Sequence, residues 1–125
     1  LVKISMYLTK ITFSFICLSY NVYRNGQLGF ENTSKNHHVK QPTEVDFFSQ
    51  TNCTIKSVTC GDSHTVILAN DGTSWVCGLN SSGQLGLGHN NDVKKFTQVP
   101  NLTNVTHVAC GSAHTIWVTS LYCAI

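Results

Sequence analysis

At 125 residues the chain is long enough for one small domain, and with 42% apolar but only 11% charged residues it has the composition of a globular segment, not a disordered one. Its formal charge of +2 comes wholly from Lys3 and Lys10, because residues 21–125 carry six basic and six acidic side chains. A neutral body without a basic stripe lacks the electrostatic footprint of a nucleic-acid binder, so no nucleic-acid partner is expected.

The first twenty residues stand apart. Leu1 takes the place of an initiator methionine, and Lys3 and Lys10 precede the apolar run Ile11–Leu18. That run superficially resembles a signal peptide but is too short for a transmembrane helix. Ile11, Phe13, Phe15 and Cys17 alternate with Thr12 and Ser14, which predicts a strand. Residues 1–20 are therefore read as a degenerate N-terminal strand or a doubtful gene-model segment, and no membrane partner is expected.

From residue 21 the chain repeats itself. Gly26-Gln27-Leu28-Gly29 returns 57 residues later as Gly83-Gln84-Leu85-Gly86. Val58-Thr59-Cys60-Gly61-Asp62-Ser63-His64-Thr65-Val66 returns 50 residues later as Val108-Ala109-Cys110-Gly111-Ser112-Ala113-His114-Thr115-Ile116. Thr43 and Val45 match Thr97 and Val99 in between. The first copy is seven residues longer, and the surplus falls near 46–53, a loop insertion. The repeats are assigned to 21–79 and 80–120, with 121–125 an end where the pattern breaks off.

A period of 50 to 57 residues exceeds the common helical repeats and fits a propeller blade of about four strands. Local signals agree. Thr65–Ala69 is a short β-branched run, Asn70-Asp71-Gly72 is a hairpin-turn signal, and Thr73–Cys77 is the returning strand. Val105–Ala109 and Thr115–Thr119 repeat the pattern, and no amphipathic helix is predicted. The fold class is all-β: a partial β-propeller of about two blades.

The chemistry-bearing residues read as structural. His64 and His114 look catalytic, but they are equivalent across the copies. A fold uses the same residue in every repeat, whereas an enzyme needs one asymmetric site. Both are expected to be buried and hydrogen-bonded to backbone near strand ends. Gly26, Gly29, Gly83, Gly86 and Gly88 hint at a phosphate cradle, yet no Gly-Lys-Ser/Thr follows and no helix N-terminus is signalled. They are expected in tight turns with positive φ, with Leu28 and Leu85 plugging the blade interface and Gln27 and Gln84 satisfying turn backbone. Trp75 and Trp117 are expected in the core or between blades. Of six cysteines (17, 53, 60, 77, 110 and 123), none forms a C-x-x-C pair. Cys60 and Cys110 are expected as small buried side chains and the thiols as reduced, in a cytoplasmic or nuclear protein. His37, His38, His89 and His107 lack metal-ligand spacing with the cysteines. No metal, cofactor or covalent catalysis is expected. Five Asn-x-Ser/Thr triplets, beginning at Asn32, Asn52, Asn80, Asn101 and Asn104, are read as Asn-rich loops.

The string Trp75-Val76-Cys77-Gly78-Leu79-Asn80-Ser81-Ser82-Gly83-Gln84-Leu85-Gly86-Leu87-Gly88, taken with Val108–Thr115, resembles the regulator-of-chromosome-condensation repeat family. The likeness runs from about Asn25 to Thr119 and makes Gly61, Gly78, Asn80 and Gly111 part of the repeat signature. It is weaker upstream, where register puts Asn21 at the Gly78 position and Tyr23 at the Asn80 position. It implies a seven-bladed propeller and a protein partner: the chain would be a binding module of a guanine nucleotide exchange factor for a small GTPase. Partner contacts would come from the loops Asn32–Lys40, Asp46–Cys53 and His89–Lys95. The alternatives are a non-catalytic interaction scaffold, such as one attached to a ubiquitin ligase, or a truncated gene product with no function alone.

Overall fold

The computed structural model describes residues 25–29 and 53–120 in full, and the backbone of strands at 2–9, 12–19 and 43–44. Nine strands and no helix occur among the described residues. They form three antiparallel sheets.

The first sheet is β1 (Val2–Thr9), β2 (Thr12–Ser19) and β3 (Thr43–Glu44), in that order. The second is β4 (Ile55–Cys60), β5 (His64–Ala69), β6 (Ser74–Gly78) and β7 (Val93–Gln98). The third is the pair β8 (Val105–Cys110) and β9 (Thr115–Thr119). The strands amount to a little over two four-stranded blades, distributed as one whole sheet between two partial ones. The expected repeat boundary at 79/80 falls inside the whole sheet, between β6 and β7. Each repeat thus contributes strands to two sheets.

Register ties the flanking sheets to the central one. Cys17 faces Thr43 and Ile4 in the first sheet, as Val76 faces Thr97 and Val66 in the second. β1, β2 and β3 therefore hold the places of β5, β6 and β7. This pairing sets Ser19, not Asn21, at the Gly78 position, a shift of two residues. In the third sheet β8 and β9 hold the places of β4 and β5. Both inner hairpins carry the same bulge, at Lys56 between Ile55 and Ser57 and at Thr106 between Val105 and His107.

β5 is buried along its whole length because both faces of its sheet are covered. On one face Ile55, Ile67, Cys77 and Phe96 cluster, flanked by Cys53, Val58 and Trp75. On the other, Val66, Val76, Leu85 and Val99 pack against Val108 and Trp117 of the third sheet. Leu85 is fully buried, and removing such a side chain from water stabilises by about 1.5–3 kcal/mol. Trp117 completes the seam, its indole N–H donating to Ser74 Oγ at 2.9 Å. Trp75 instead donates to Thr73 Oγ1 at 3.2 Å.

The hairpin joining β5 to β6 needs positive φ only at Gly72, +81°. Asn70 reaches across to Thr54 Oγ1, 2.9 Å, while Asp71 Oδ1 accepts from the Thr73 amide and hydroxyl at 2.9 and 2.6 Å. Those bonds, the hydroxyl's first, hold the Asp71 carboxyl below the usual carboxylate range.

Candidate functional site

Each Gly-Gln-Leu-Gly is one β-turn. The Gly29 amide donates to Gly26 O at 3.0 Å and the Gly86 amide to Gly83 O at 3.1 Å. The flanking glycines take φ of +79° and +77° in the first turn and +71° and +66° in the second, a conformation L side chains resist. The glutamine between them binds the turn's entry: Gln27 Oε1 accepts from the Asn25 amide at 3.2 Å, and Gln84 Oε1 from the Ser82 amide at 2.9 Å. Leu28 and Leu85 are both buried.

The histidine and threonine that follow Gly61 and Gly111 anchor these turns. The Thr65 hydroxyl donates to Gln27 O at 2.6 Å, and the Thr115 hydroxyl donates to Gln84 O at 2.8 Å. Across the seam, His64 Nε2 lies 2.9 Å from Thr115 Oγ1. Thr115 has given its one proton to Gln84, so His64 Nε2 is the donor and Nδ1 carries the lone pair. That Nδ1 is buried without a partner. Burial first, and then the neighbouring His114, lower the His64 pKa from its ordinary value, so the ring is neutral at pH 7. The equivalent inner turns are joined as well: the Asp62 amide donates to Ser112 O at 3.1 Å, and the Ser112 hydroxyl to Asp62 Oδ2 at 2.6 Å.

Two expectations change here. The His64 ring bonds a side chain of the next repeat, Thr115, besides a backbone hydrogen bond with His114. His114 is exposed, because His64 is covered by the following repeat while nothing among the described residues covers His114. Cys60 and Cys110 are half-buried, because they end the inner strands β4 and β8, which lie at sheet edges. Cys53, Cys60 and Cys110 carry free thiols. Burial pushes the Cys60 thiol up to about 11, against the opposing hydrogen bond to Thr65, and burial also raises Cys110. Both stay protonated at neutral pH and are poor nucleophiles.

The loop between β6 and β7 presents the polar surface. Asn80 is wholly buried beneath it and uses every polar group it has. Its amide donates to Asp92 Oδ1 at 2.9 Å and its carbonyl accepts from the Gly83 amide at 2.9 Å. Its Nδ2 donates to His89 O at 2.7 Å and its Oδ1 accepts from the Leu85 amide at 3.0 Å. The Asn80 amide and the Asp92 carboxylate thus join the ends of a thirteen-residue loop, Asn80–Asp92, the Asn80 side chain ties down its middle, and the stretch from Gly88 to Asp92 is exposed. Gly88 has open space around it, so its +81° φ alone calls for glycine. A buried Asn80 is also no glycan acceptor. Sequence reasoning missed Asp92; its only signal is an acid closing an Asn-rich loop before a strand.

Of the candidate contact loops, Asn32–Lys40 lies outside the described residues, as does Asp46–Cys53 except Cys53. His89–Lys95 divides: His89–Asp92 is loop, but Val93–Lys95 belongs to β7, because Val93 pairs with Gly78 and packs on the inter-sheet core. Among the described residues no three of His, Cys, Asp and Glu converge as a metal site would require, and no helix is long and apolar enough to cross a membrane.

The family model of the regulator of chromosome condensation (RCC1) repeat matches residues 24–68 and 71–118. The mouse secretion-regulating guanine nucleotide exchange factor is 42% identical over 96 residues, covering 75% of this chain and 20% of that protein. The human probable E3 ubiquitin-protein ligase HERC4 is 42% identical over 74 residues, covering 59% and 6%. The structure of yeast RCC1 (Prp20) bound to Kap60 superposes with a TM-score of 0.76 at 23% identity, over 91% of this chain and 27% of that one. The chain thus spans about a fifth or less of the length of these curated relatives, and its fold is part of a β-propeller.

Proposed function

The chain belongs to the regulator of chromosome condensation (RCC1) repeat family, and from that premise we propose that it is a protein-binding module of a guanine nucleotide exchange factor for a small GTPase. The observation that carries this reading is the Asn80–Asp92 loop, held by Asn80 and Asp92 while its tip stays exposed. A loop ordered before contact loses little entropy on binding. The 42% identity to a relative named as an exchange factor supports the same reading. Exchange needs no covalent chemistry: the factor holds the nucleotide-free GTPase more tightly than the loaded one, and linkage then expels the nucleotide. A cytoplasmic or nuclear setting accords with the free thiols.

The test is affinity of this chain for purified nuclear-transport and secretory GTPases, each nucleotide-free and GDP-loaded. The expected result is at least tenfold tighter binding of one nucleotide-free GTPase, reduced by Asn80→Ala. Absence of binding to all of them would refute the reading. Similarity to the ubiquitin-ligase protein, equal in identity over a shorter stretch, favours a second reading: a scaffold. Partners held equally in both nucleotide states would select it.

A further inference from the structure

His89 stands on the exposed stretch of the Asn80–Asp92 loop, yet its ring has a defined place there. The Asn91 amide donates to His89 Nδ1 at 3.1 Å. A backbone N–H can only donate, so Nδ1 carries a lone pair and the neutral ring keeps its proton on Nε2. The bond closes a short turn, His89–Asn91, much as an Asn or Asp side chain closes one on its own backbone.

A second donor stands beside the first. Asn80 Nδ2 lies 3.5 Å from the same Nδ1. The carboxamide cannot present its oxygen to the ring instead, because Oδ1 accepts from the Leu85 amide at 3.0 Å while Nδ2 donates to His89 O at 2.7 Å. Nδ1 therefore faces N–H groups from both arms of the loop.

A proton on Nδ1 reverses the role of that atom. It can no longer accept from Asn91, and three donors converge on one point. Asn80 is wholly buried and has no other place to go, whereas Asn91 is exposed and its amide can turn to water. The contact that gives way is therefore the one closing the turn. The charged groups of the loop and of the strand it feeds are Asp92, whose Oδ1 holds the Asn80 amide at 2.9 Å, and the exposed Lys94 and Lys95 of β7. The arm from Asn80 to Leu85 brings no titratable side chain. The acid favours an imidazolium and the lysines oppose it, but neither restores an acceptor for the Asn91 amide.

We propose that His89 is a proton switch for the Asn80–Asp92 loop: the neutral ring closes the turn His89–Asn91, and protonation opens it while Asn80 and Asp92 keep the ends joined. The closed turn takes the unprotonated ring, so it is present at neutral pH and lost in mild acid. That the switch regulates partner binding rests on the reading of this loop as the contact surface. The switch itself is read on the chain alone, so the two can fail separately.

The test is nitrogen-15 NMR on the full chain. In the neutral sample the His89 ring is expected as the Nε2–H tautomer. From about pH 7.5 to about 5.5 the protection of the Asn91 amide against hydrogen exchange is expected to fall about tenfold while that of β5 holds. His89→Gln should abolish the step, because a carboxamide takes up no proton in this range. An Nδ1–H tautomer in the neutral sample overturns the proposal, as does an Asn91 amide without a pH step or a step that survives His89→Gln. A fall shared equally by β5 also overturns it, since the His64 seam then accounts for the change.

Discussion

Thr115→Val tests the hydrogen-bond logic of the inter-repeat seam. Valine preserves the shape of threonine and deletes one hydroxyl. That hydroxyl serves two strong partners, donating to Gln84 O at 2.8 Å and accepting from His64 Nε2 at 2.9 Å, and has the Cys110 thiol at 4.0 Å. Each buried group left unsatisfied costs about 1–3 kcal/mol. Thr115 is only half-buried, so water recovers part of this, and the expected loss is about 2–4 kcal/mol. The control is Thr65→Val. Thr65 is fully buried, yet its hydroxyl holds one strong partner, Gln27 O at 2.6 Å, and a Cys60 thiol at 3.8 Å. Its loss is about 1–2 kcal/mol, so the more exposed threonine should matter more. Urea unfolding reads both values. In a His64→Ala background Thr115→Val should cost about 1 kcal/mol less, because one orphan is gone. A Thr115→Val protein within about 0.5 kcal/mol of the parent, or a cycle with no coupling, would show that the seam does not depend on this bond.

Acid should weaken the same seam. The folded His64 pKa lies below its ordinary 6.5, so the unfolded chain takes up the proton first. The contribution is complete above pH 6.5 and is lost as pH falls from there toward the folded pKa, a slope that His64→Phe should flatten in urea titrations between pH 7 and 5. Gly61→Ala should cost about 1–3 kcal/mol by overpacking, since its Cβ would lie 2.2 Å from His64 Cε1 and 2.6 Å from Gly111 O. Gly88→Ala meets nothing within 4 Å and should lose only about 1 kcal/mol, from its positive φ. Equal melting shifts for the two would contradict the spatial argument. Asn80→Ala removes the bonds to the His89 carbonyl and the Leu85 amide; exchange of the 81–92 amides should rise well before that of β5.

How far the fold could be read in advance depended on whether a residue's reason was local. The Gly-Gln-Leu-Gly turns were legible, because positive φ belongs to the glycine itself. The β5–β6 hairpin was legible for the same cause. Gly61 and Gly111 were recognisable as a recurrent pair, but not for why they recur. Neither takes positive φ; each leaves room for the imidazole three residues on, whose Cε1 would lie 2.2 Å or 2.0 Å from an added Cβ. β7 was half missed because Lys94 and Lys95 read as loop, and only its pairing with β6 and the burial of Phe96 make it a strand. The joining of Asn80 to Asp92 spans twelve residues, beyond any local pattern.

The recurrence of His64 and His114 was first an argument against catalysis, and the stagger of repeat and sheet turns it into an account of cohesion. The family match breaks between Leu68 and Asp71, between β5 and β6 of one sheet. By that division, which sets the boundary earlier than the expected 79/80, the sheet is built half from one repeat and half from the next, and the hairpin at Asn70–Gly72 crosses between repeats without leaving the sheet. The passage from sheet to sheet occurs inside a repeat, from β7 to β8. Covalent continuity therefore holds the repeats together within a sheet, and between the sheets side chains add to the two backbone bonds, Asp62 amide to Ser112 O and Val105 amide to Gly72 O. Those side chains sit at the inner hairpin: His64 to Thr115, Asp62 to Ser112, and Lys56 Nζ donating to Thr106 O at 3.3 Å. The last two pairs join equivalent positions, and the first is offset by one. Bonds between equivalents follow when one unit is rotated onto the next, so each residue that grips forward in one repeat is the residue gripped in the following one. His and Thr must then recur together, and a substitution at either is felt at the seam and, through the Thr115 bond to Gln84 O, at the base of the Asn80–Asp92 loop.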